Sequence, residues 1–315
     1  MAKVLSDVIT RYTSQGHLPS TSKARVCSDR ISDRCSHYSI SPQCSLSDSW
    51  TDDQVLERTR TAPALPDAIF PGCDHQPLIS HKVRDLCPDT VAKMGYAWHI
   101  AAEARALDFV RSSTFIPVPK VRRCLDAGPV DAILLLEKIE GTRLDRLWPS
   151  FSPLQRFITA FTLRGYILEL RRSSANYHRS HVPGPMADTP QRCHGPALLF
   201  HLRDHGPFQN TRQLLDYFSK RLRSNCARYE DAYDSQPLVL THNDLCMRNI
   251  IVGRDGKLWL VDWEWSGFYP PFCEYIAMKS SAINDDAPKS WCEYLPLIAG
   301  AWVREEKMLG VEAWG

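Results

Sequence analysis

The 315-residue sequence has no Gly-x-Gly-x-x-Gly, and between Gly16 and Gly95 its only glycine is Gly72. A glycine-rich loop lets backbone N–H groups close on phosphates. Any phosphate bound here needs another cover, and Ser80-His81-Lys82 is the candidate. There is also no Cys-x-x-Cys: the 11 cysteines are odd in number and scattered. That argues against a disulfide framework and for reduced thiols in a cytoplasmic setting. No stretch reaches the apolar length of a membrane span, and the first residues lack the apolar centre of a secretory signal. No membrane partner is therefore expected. Lys plus Arg (38) nearly balance Asp plus Glu (36) for a net charge of +2, so no basic field calls for nucleic acid. Internal repeats are lacking as well.

What is present suits a globular chain. Hydrophobic residues make up 43% and charged residues 23%, enough to bury a core. The length allows one large or two ordinary domains. Residues 1–60 are rich in Ser, Thr, Asp and Arg and read as mostly disordered. Val4, Leu5, Val8, Ile9 and Tyr12 have the spacing of a short amphipathic helix. A mitochondrial presequence is favoured by Arg11, Arg25, Arg30 and Arg34 but opposed by Asp7, Asp29 and Asp33.

The chain is organised around residues 237–265. Leu238 to Thr241 reads as a strand and His242 to Asn249 as a polar loop. Ile250–Val252 and Leu258–Val261 read as two more strands, with Gly253-Arg254-Asp255-Gly256 between them as turn. Asp-Gly between β-rich runs signals a hairpin. A hairpin brings its outer ends together, so Asn249 and Asp262 should lie close, with Asp244 just upstream. Two carboxylates and an amide oxygen make a hard-oxygen site that suits Mg²⁺.

The spacing His-x-Asp-x-x-x-x-Asn followed by Val-Asp-Trp-Glu resembles the catalytic loop and metal Asp of the protein-kinase-like fold. In detail it is similar to the aminoglycoside phosphotransferase and choline kinase branch. Val261 to Pro270 is especially similar to fungal members of the phosphotransferase enzyme family. The resemblance implies that Asp244 is the catalytic base or orients the acceptor hydroxyl. It implies that Asn249 and Asp262 hold Mg²⁺, and that Glu264 is a further or supporting metal contact, the alternative being a peripheral hydrogen-bonding Glu. His242 reads as a brace that ties backbone on one side to Asp262 on the other.

Residues 61–138 read as a small nucleotide-binding lobe. Thr90 to Met94 is a strand with one lysine, Lys93. A helix follows with Ile100, Ala104, Leu107 and Val110 or Arg111 on one stripe, and Glu103 lies on it too. A carboxylate on a buried face is costly unless a cation pairs with it. Family members pair a strand Lys with a helix Glu, so the resemblance makes Lys93 that partner and a ligand of the ATP phosphates. An exposed lysine and a snorkelling Glu are the alternatives. Ala132 to Leu136 is a continuous apolar strand, central in its sheet. It runs into Glu137-Lys138-Ile139, similar to the hinge whose backbone binds adenine. Gly141-Thr142-Arg143-Leu144 and Trp148-Pro149 extend the resemblance.

Residues 139–315 read as a larger, mainly helical lobe with the catalytic loop, the metal site and the acceptor pocket. Ser152-Pro153-Leu154-Gln155 is a capping box. It opens a helix expected to bury Phe157, Phe161, Leu163, Ile167, Leu168 and Leu170. Thr211 to Tyr233 is a second helix. Cys193, His194, His201 and His205 fit no standard zinc spacing. Trp263, Trp265, Phe268, Tyr269 and Phe272 read as core in preference to a substrate cage. Cys246 reads as a small filler, and Asp285, Asp286 and Glu293 suit the acceptor pocket or the surface equally.

The fold expected is therefore α+β, a bilobal protein-kinase-like fold with a small antiparallel-sheet lobe and a larger helical one. The activity expected is transfer of the ATP γ-phosphoryl, with Mg²⁺, to a hydroxyl of a small molecule. A protein kinase is disfavoured, because His-Arg-Asp, Asp-Phe-Gly and Ala-Pro-Glu are all missing. A catalytically inactive scaffold is the other alternative, and the missing glycine-rich loop is what favours it.

Overall fold

A computed structural model of the chain describes residues 45–65, 83–174, 182–222 and 238–309. The helix expected near Val4–Tyr12, the disorder expected up to residue 44, the Ser80–Lys82 cover and residues 223–233 of the expected helix lie outside the described residues.

Residues 45–60 carry regular structure, which corrects the reading of residues 1–60 for the stretch from Ser45 onward. A 3₁₀ turn at Leu46–Ser49 leads into helix α1 (Asp52–Thr61). Thr51 caps α1 reciprocally with Gln54, satisfying two N–H groups that the helix itself cannot pair. Val55 is fully buried in a small cluster with Ala92, Leu125, Ile133 and Leu135. The charged composition of the segment hid this short apolar stripe.

Strands β1 (Val83–Cys87), β2 (Thr90–Tyr96), β3 (Val121–Asp126) and β4 (Asp131–Glu137) form an antiparallel sheet in the order β1-β2-β4-β3. β4 is central, as expected. Its Ile133 and Leu135 face α1, while Ala132, Leu134 and Leu136 join the main core. Burial on both faces is why the run is continuously apolar. On β2 the same alternation puts Ala92 toward α1 and Val91 toward the main core. Lys93, two residues from Val91, shares its face.

Helix α2 (Ala97–Ser113) covers that face and buries Ile100, Glu103, Ala106, Leu107 and Val110. Ala104 is only half-buried and Arg111 exposed, so the apolar stripe is rotated slightly from the expected one.

The second lobe starts with β5 (Gly141–Arg143) and the long helix α3 (Pro153–Ser174). The capping box forms, with Ser152 and Gln155 exchanging hydrogen bonds. α3 buries Ala160, Leu163, Ile167 and Leu170, an i, i+3, i+7, i+10 stripe. Phe157 and Phe161 sit on the adjacent stripe and are exposed, against expectation, stacked on one another 6.2 Å apart. Then come α4 (Thr211–Leu222), β6 (Val239–Thr241), β7 (Ile250–Gly253), β8 (Leu258–Leu260), β9 (Gly267–Tyr269), α5 (Phe272–Asn284) and α6 (Leu295–Ala299).

β7 and β8 pair as the expected hairpin, Ile250 opposite Leu260, and turn at Gly256 with φ 76°. β5 adds to β7, and β6 pairs separately with β9. The loop 242–249 and the loop 261–266 thus both connect one small sheet to the other and face each other. The architecture is α+β and bilobal, with the kinase-like order of sheet, helix, hinge and helical lobe. Among the described residues no helix is long and apolar enough to cross a membrane.

Candidate active site

Lys93 is the centre of the site. Its ammonium is buried, and it lies 2.8 and 3.0 Å from the two oxygens of Glu103, 2.6 Å from Asp262 and 3.2 Å from Glu264. The Lys93–Glu103 pair is where the sequence put it. The approach of Asp262 and Glu264 to the same ammonium was not foreseen. Glu103 also accepts the backbone N–H of Trp263 at 3.1 Å. Helix α2 therefore holds the Asp262 loop in two ways.

The charges do not balance. Three carboxylates surround one ammonium, and the deficit is visible in the protonation of the group. Burial pushes Glu103 up to about 7, helped by Asp262 and Glu264 and opposed by Lys93. Burial alone would depress Lys93, but Asp262, Glu103 and Glu264 outweigh it and raise its pKa well above the usual lysine value. A divalent cation at the exposed side of Asp262 would relieve the excess negative charge.

The hairpin mouth closes as expected. Val261 donates its N–H to the Asn249 carbonyl at 3.0 Å. Asn249 turns its amide nitrogen onto the Asp244 carbonyl (2.9 Å) and carboxylate (2.8 Å). That leaves the Asn249 side-chain oxygen as the end available to a cation. Asp262 has φ 64° and Asn243 φ 60°. Asn and Asp tolerate this left-handed region better than other residues with a side chain. The two loops opposed here each contain one such residue.

Asp244 is buried and fully engaged. One oxygen accepts from Arg248 (2.8 Å) and Ser281 (2.7 Å), the other from Arg248 (2.8 Å) and Asn249. Burial raises its pKa to about 6, and Arg248 is the main opposing influence. Arg248 itself bridges to Asp285. Asp285, expected at the pocket or the surface, is thus tied to the loop 242–249.

His242 braces the loop, though not onto the Asp262 side chain as expected. Its Nε2–H donates to the Val261 carbonyl (3.1 Å), and its Nδ1 accepts the Asp244 N–H (3.3 Å). This arrangement needs the neutral ring, and burial lowers the His242 pKa to about 4. Glu274 on α5, which the sequence reading missed, accepts the N–H groups of His242 (2.7 Å) and Asn243 (3.3 Å). The signal for it was present, since Glu274 is a lone acid in the apolar run Phe272-Cys273-Glu274-Tyr275-Ile276-Ala277-Met278, the argument applied to Glu103. Arg248 and Ser281 were missed because a surface arginine and a helix serine look the same in sequence.

The segment after β4, expected as the hinge, is braced from both sides. Glu137 donates its N–H to the Lys120 carbonyl and accepts the Lys120 N–H on its carboxylate. Lys138 pairs with Asp85 at 2.7 Å and donates its N–H to the Asp89 carbonyl. Ile139, half-buried, follows. Trp263, Phe268, Tyr269 and Phe272 are core, while Trp265 is half-buried beside His194. Cys246 is a buried filler. Cys193, His201 and His205 do not gather around His194: Cys193 is buried, and His205 bonds the Phe200 carbonyl.

The sequence profile described as Phosphotransferase enzyme family matches residues 92–296, well over half of the chain. Curated protein sequences give no match. Among solved structures, an aminoglycoside phosphotransferase of Streptomyces rimosus is 17% identical, with 74% of this chain and 89% of that one covered and a TM-score of 0.44. The GDP and kanamycin complex of another aminoglycoside phosphotransferase is 13% identical, with 73% and 77% covered and a TM-score of 0.48. A thermostable mutant of a further aminoglycoside phosphotransferase, in ternary complex with ADP and hygromycin B, is 12% identical, with 74% and 90% covered and a TM-score of 0.39. At these values the likeness is one of general outline.

Proposed function

The chain belongs to the phosphotransferase enzyme family, and on that premise we propose that it transfers the γ-phosphoryl of ATP to a hydroxyl of a small molecule. The observation that carries this reading is the crowding of Glu103, Asp262 and Glu264 around Lys93, with the buried Asp244 close enough to Asp262 to feel its charge. Phosphoryl transfer asks for positioning and charge neutralisation more than for covalent help.

In this reading Lys93, held by Glu103, meets the ATP phosphates. Adenine takes the Glu137 carbonyl and the Ile139 N–H, because the Glu137 N–H is already given to Lys120. Asp262, Asn249 and Glu264 would hold Mg²⁺, for which an all-oxygen donor set is suited. When bound, Mg²⁺ neutralises charge on the phosphate oxygens. The acceptor oxygen forms a bond to the γ-phosphorus as the bond to the bridging oxygen breaks and ADP leaves. The acceptor proton passes to Asp244. Four hydrogen bonds fill the acceptor sites of that carboxylate, so an incoming hydroxyl takes the place of one of them.

Only residues 263–271 separate Asp262 from α5, and β9 occupies three of them. That leaves no room for a long activation segment and favours a small acceptor over a protein. The test is ADP release from Mg·ATP across a panel of amino-alcohols, sugars and aminoglycosides. Acceptor-dependent release that Asp262→Ala abolishes is the expected result. ATP binding with no transfer to any hydroxyl would leave the scaffold reading instead.

A further inference from the structure

We propose that His99, His194 and Asp204 form a binding site for a divalent transition-metal ion of the zinc class. The site is separate from the oxygen donors of Asn249 and Asp262. One potential ligand atom from each of the three residues lies within 4.8 Å of the other two. In the tetrahedral shell of zinc, metal–ligand distances of about 2.0–2.2 Å put two ligands of one ion about 3.3–3.6 Å apart. The three therefore need to draw in by at most about 1.5 Å.

The backbone builds this juxtaposition. Cys193 and His205 exchange both backbone hydrogen bonds, at 2.7 and 2.9 Å, as an antiparallel bridge. In that register the next pair inward is His194 and Asp204, and their side chains already meet, Nδ1 to carboxylate, at 2.8 Å. His99 comes from the other lobe, on the first turn of α2. Its ring is 5.5 Å from that of His194, centre to centre. Trp98 lies edge-on to His99 at 3.6 Å, and Trp265 sits 5.9 Å from His194. Aromatic walls on both sides limit the rotation of the two imidazoles.

The donor set selects the ion. Two imidazoles and one carboxylate suit zinc and its neighbours in the first transition row, whereas Mg²⁺ and Ca²⁺ prefer oxygen alone. Three protein ligands, with Asp204 exposed and His194 half-buried, leave a coordination position open to water. Zinc sites of the closed, structural kind carry four protein ligands. The position of the site says what the ion does. His99 stands one helical turn before Glu103, on the same side of α2. An ion shared between His99 and the 193–205 bridge clasps that helix to the second lobe.

The test is a titration of the full chain with Co²⁺ and with Zn²⁺, in excess Mg²⁺ to occupy oxygen-only sites. Visible absorption of the bound Co²⁺, quenching of Trp98 and Trp265 fluorescence, and equilibrium dialysis are the readouts. One ion per chain is expected. His99→Ala, His194→Ala and Asp204→Asn should each weaken it by more than about 100-fold, beyond the 10–100-fold typical of residues that only support a ligand. His201→Asn and His205→Ala should bind as wild type does. Melting curves in chelator identify any variant that fails to fold. Asp204→Asn, which can keep the hydrogen bond to His194, is the mild one. No ion bound by the wild type at micromolar concentration, or equal binding by the three variants, overturns the proposal.

Discussion

The Lys93 ammonium lies 2.6 Å from the Asp262 carboxylate, closer than to either oxygen of Glu103. The lysine therefore joins the β-sheet lobe to the loop after β8, and Glu103 does so a second time through the Trp263 N–H. If Lys93 and Glu103 act as one unit on nucleotide, their effects will not add. Lys93→Ala and Glu103→Ala should each weaken ATP binding, and the double mutant should show a coupling energy within about 0.5–3 kcal/mol. Isothermal titration of all four proteins measures it, and a coupling near zero would mean that Glu103 serves the loop alone.

Asp244 separates turnover from binding. Asp244→Asn keeps the shape and the hydrogen bonds accepted at one of the two oxygens, because its amide nitrogen donates where the carboxylate accepted, and it cannot take a proton. ATP affinity should stay near that of wild type, while kcat falls by about 10²–10⁴-fold, the usual contribution of a positioned base. Because the loss belongs to the transition state, KM for the acceptor should change little.

Arg248 keeps Asp244 ionised from within. It is the main influence that opposes the rise caused by burial. Arg248→Ala should move the Asp244 pKa upward from about 6, so that the acid limb of the kcat–pH profile shifts to higher pH. Activity at neutral pH should fall and recover in part on raising the pH. Arg248→Lys should restore little, because one guanidinium reaches both Asp244 and Asp285 and an ammonium lacks that fork.

His242 makes stability depend on acid. Its folded pKa of about 4 lies below the ordinary value of 6.5. The unfolded chain therefore takes up the proton first, and the contribution is present above pH 6.5 and lost as pH falls toward 4. The size is on the order of 3 kcal/mol. Glu274, raised by burial to about 7, has the opposite sign: its contribution is full below about pH 4.5 and lost as pH rises through 7. The difference in melting temperature between wild type and His242→Gln, followed from pH 4 to 7, isolates the histidine. That difference should shrink as the pH is lowered.

The parts legible in sequence were those with a local signature. The hairpin announced itself through Asp255-Gly256, and β4 through five apolar residues in a row. Glu103 was legible because an acid on an apolar stripe demands a cation. Contacts made by common residues across long separations were not legible. Nothing near Arg248 in sequence points to Asp285, and nothing in Asp204 points to His99 on a helix a hundred residues earlier. Phe157 and Phe161 misled because aromatic residues near the start of a helix look like core. Only the position of the buried stripe, set by the partners of α3, shows that they are not.

The cover of α1 on the sheet bears on which piece of this chain can stand alone. The stretch matched by the family begins at residue 92, inside β2. A fragment cut there loses β1 and leaves the rest of β2 as an unpaired edge. It also uncovers Ala92, Ile133 and Leu135, which Val55 shields in the whole chain. An open strand edge beside a bare apolar face is a template for aggregation. The recognisable stretch and the folding unit are therefore different lengths of the same chain, and the folding unit reaches back at least to Ser45, whose hydroxyl bonds Asp89 and Thr90 at the β1–β2 turn.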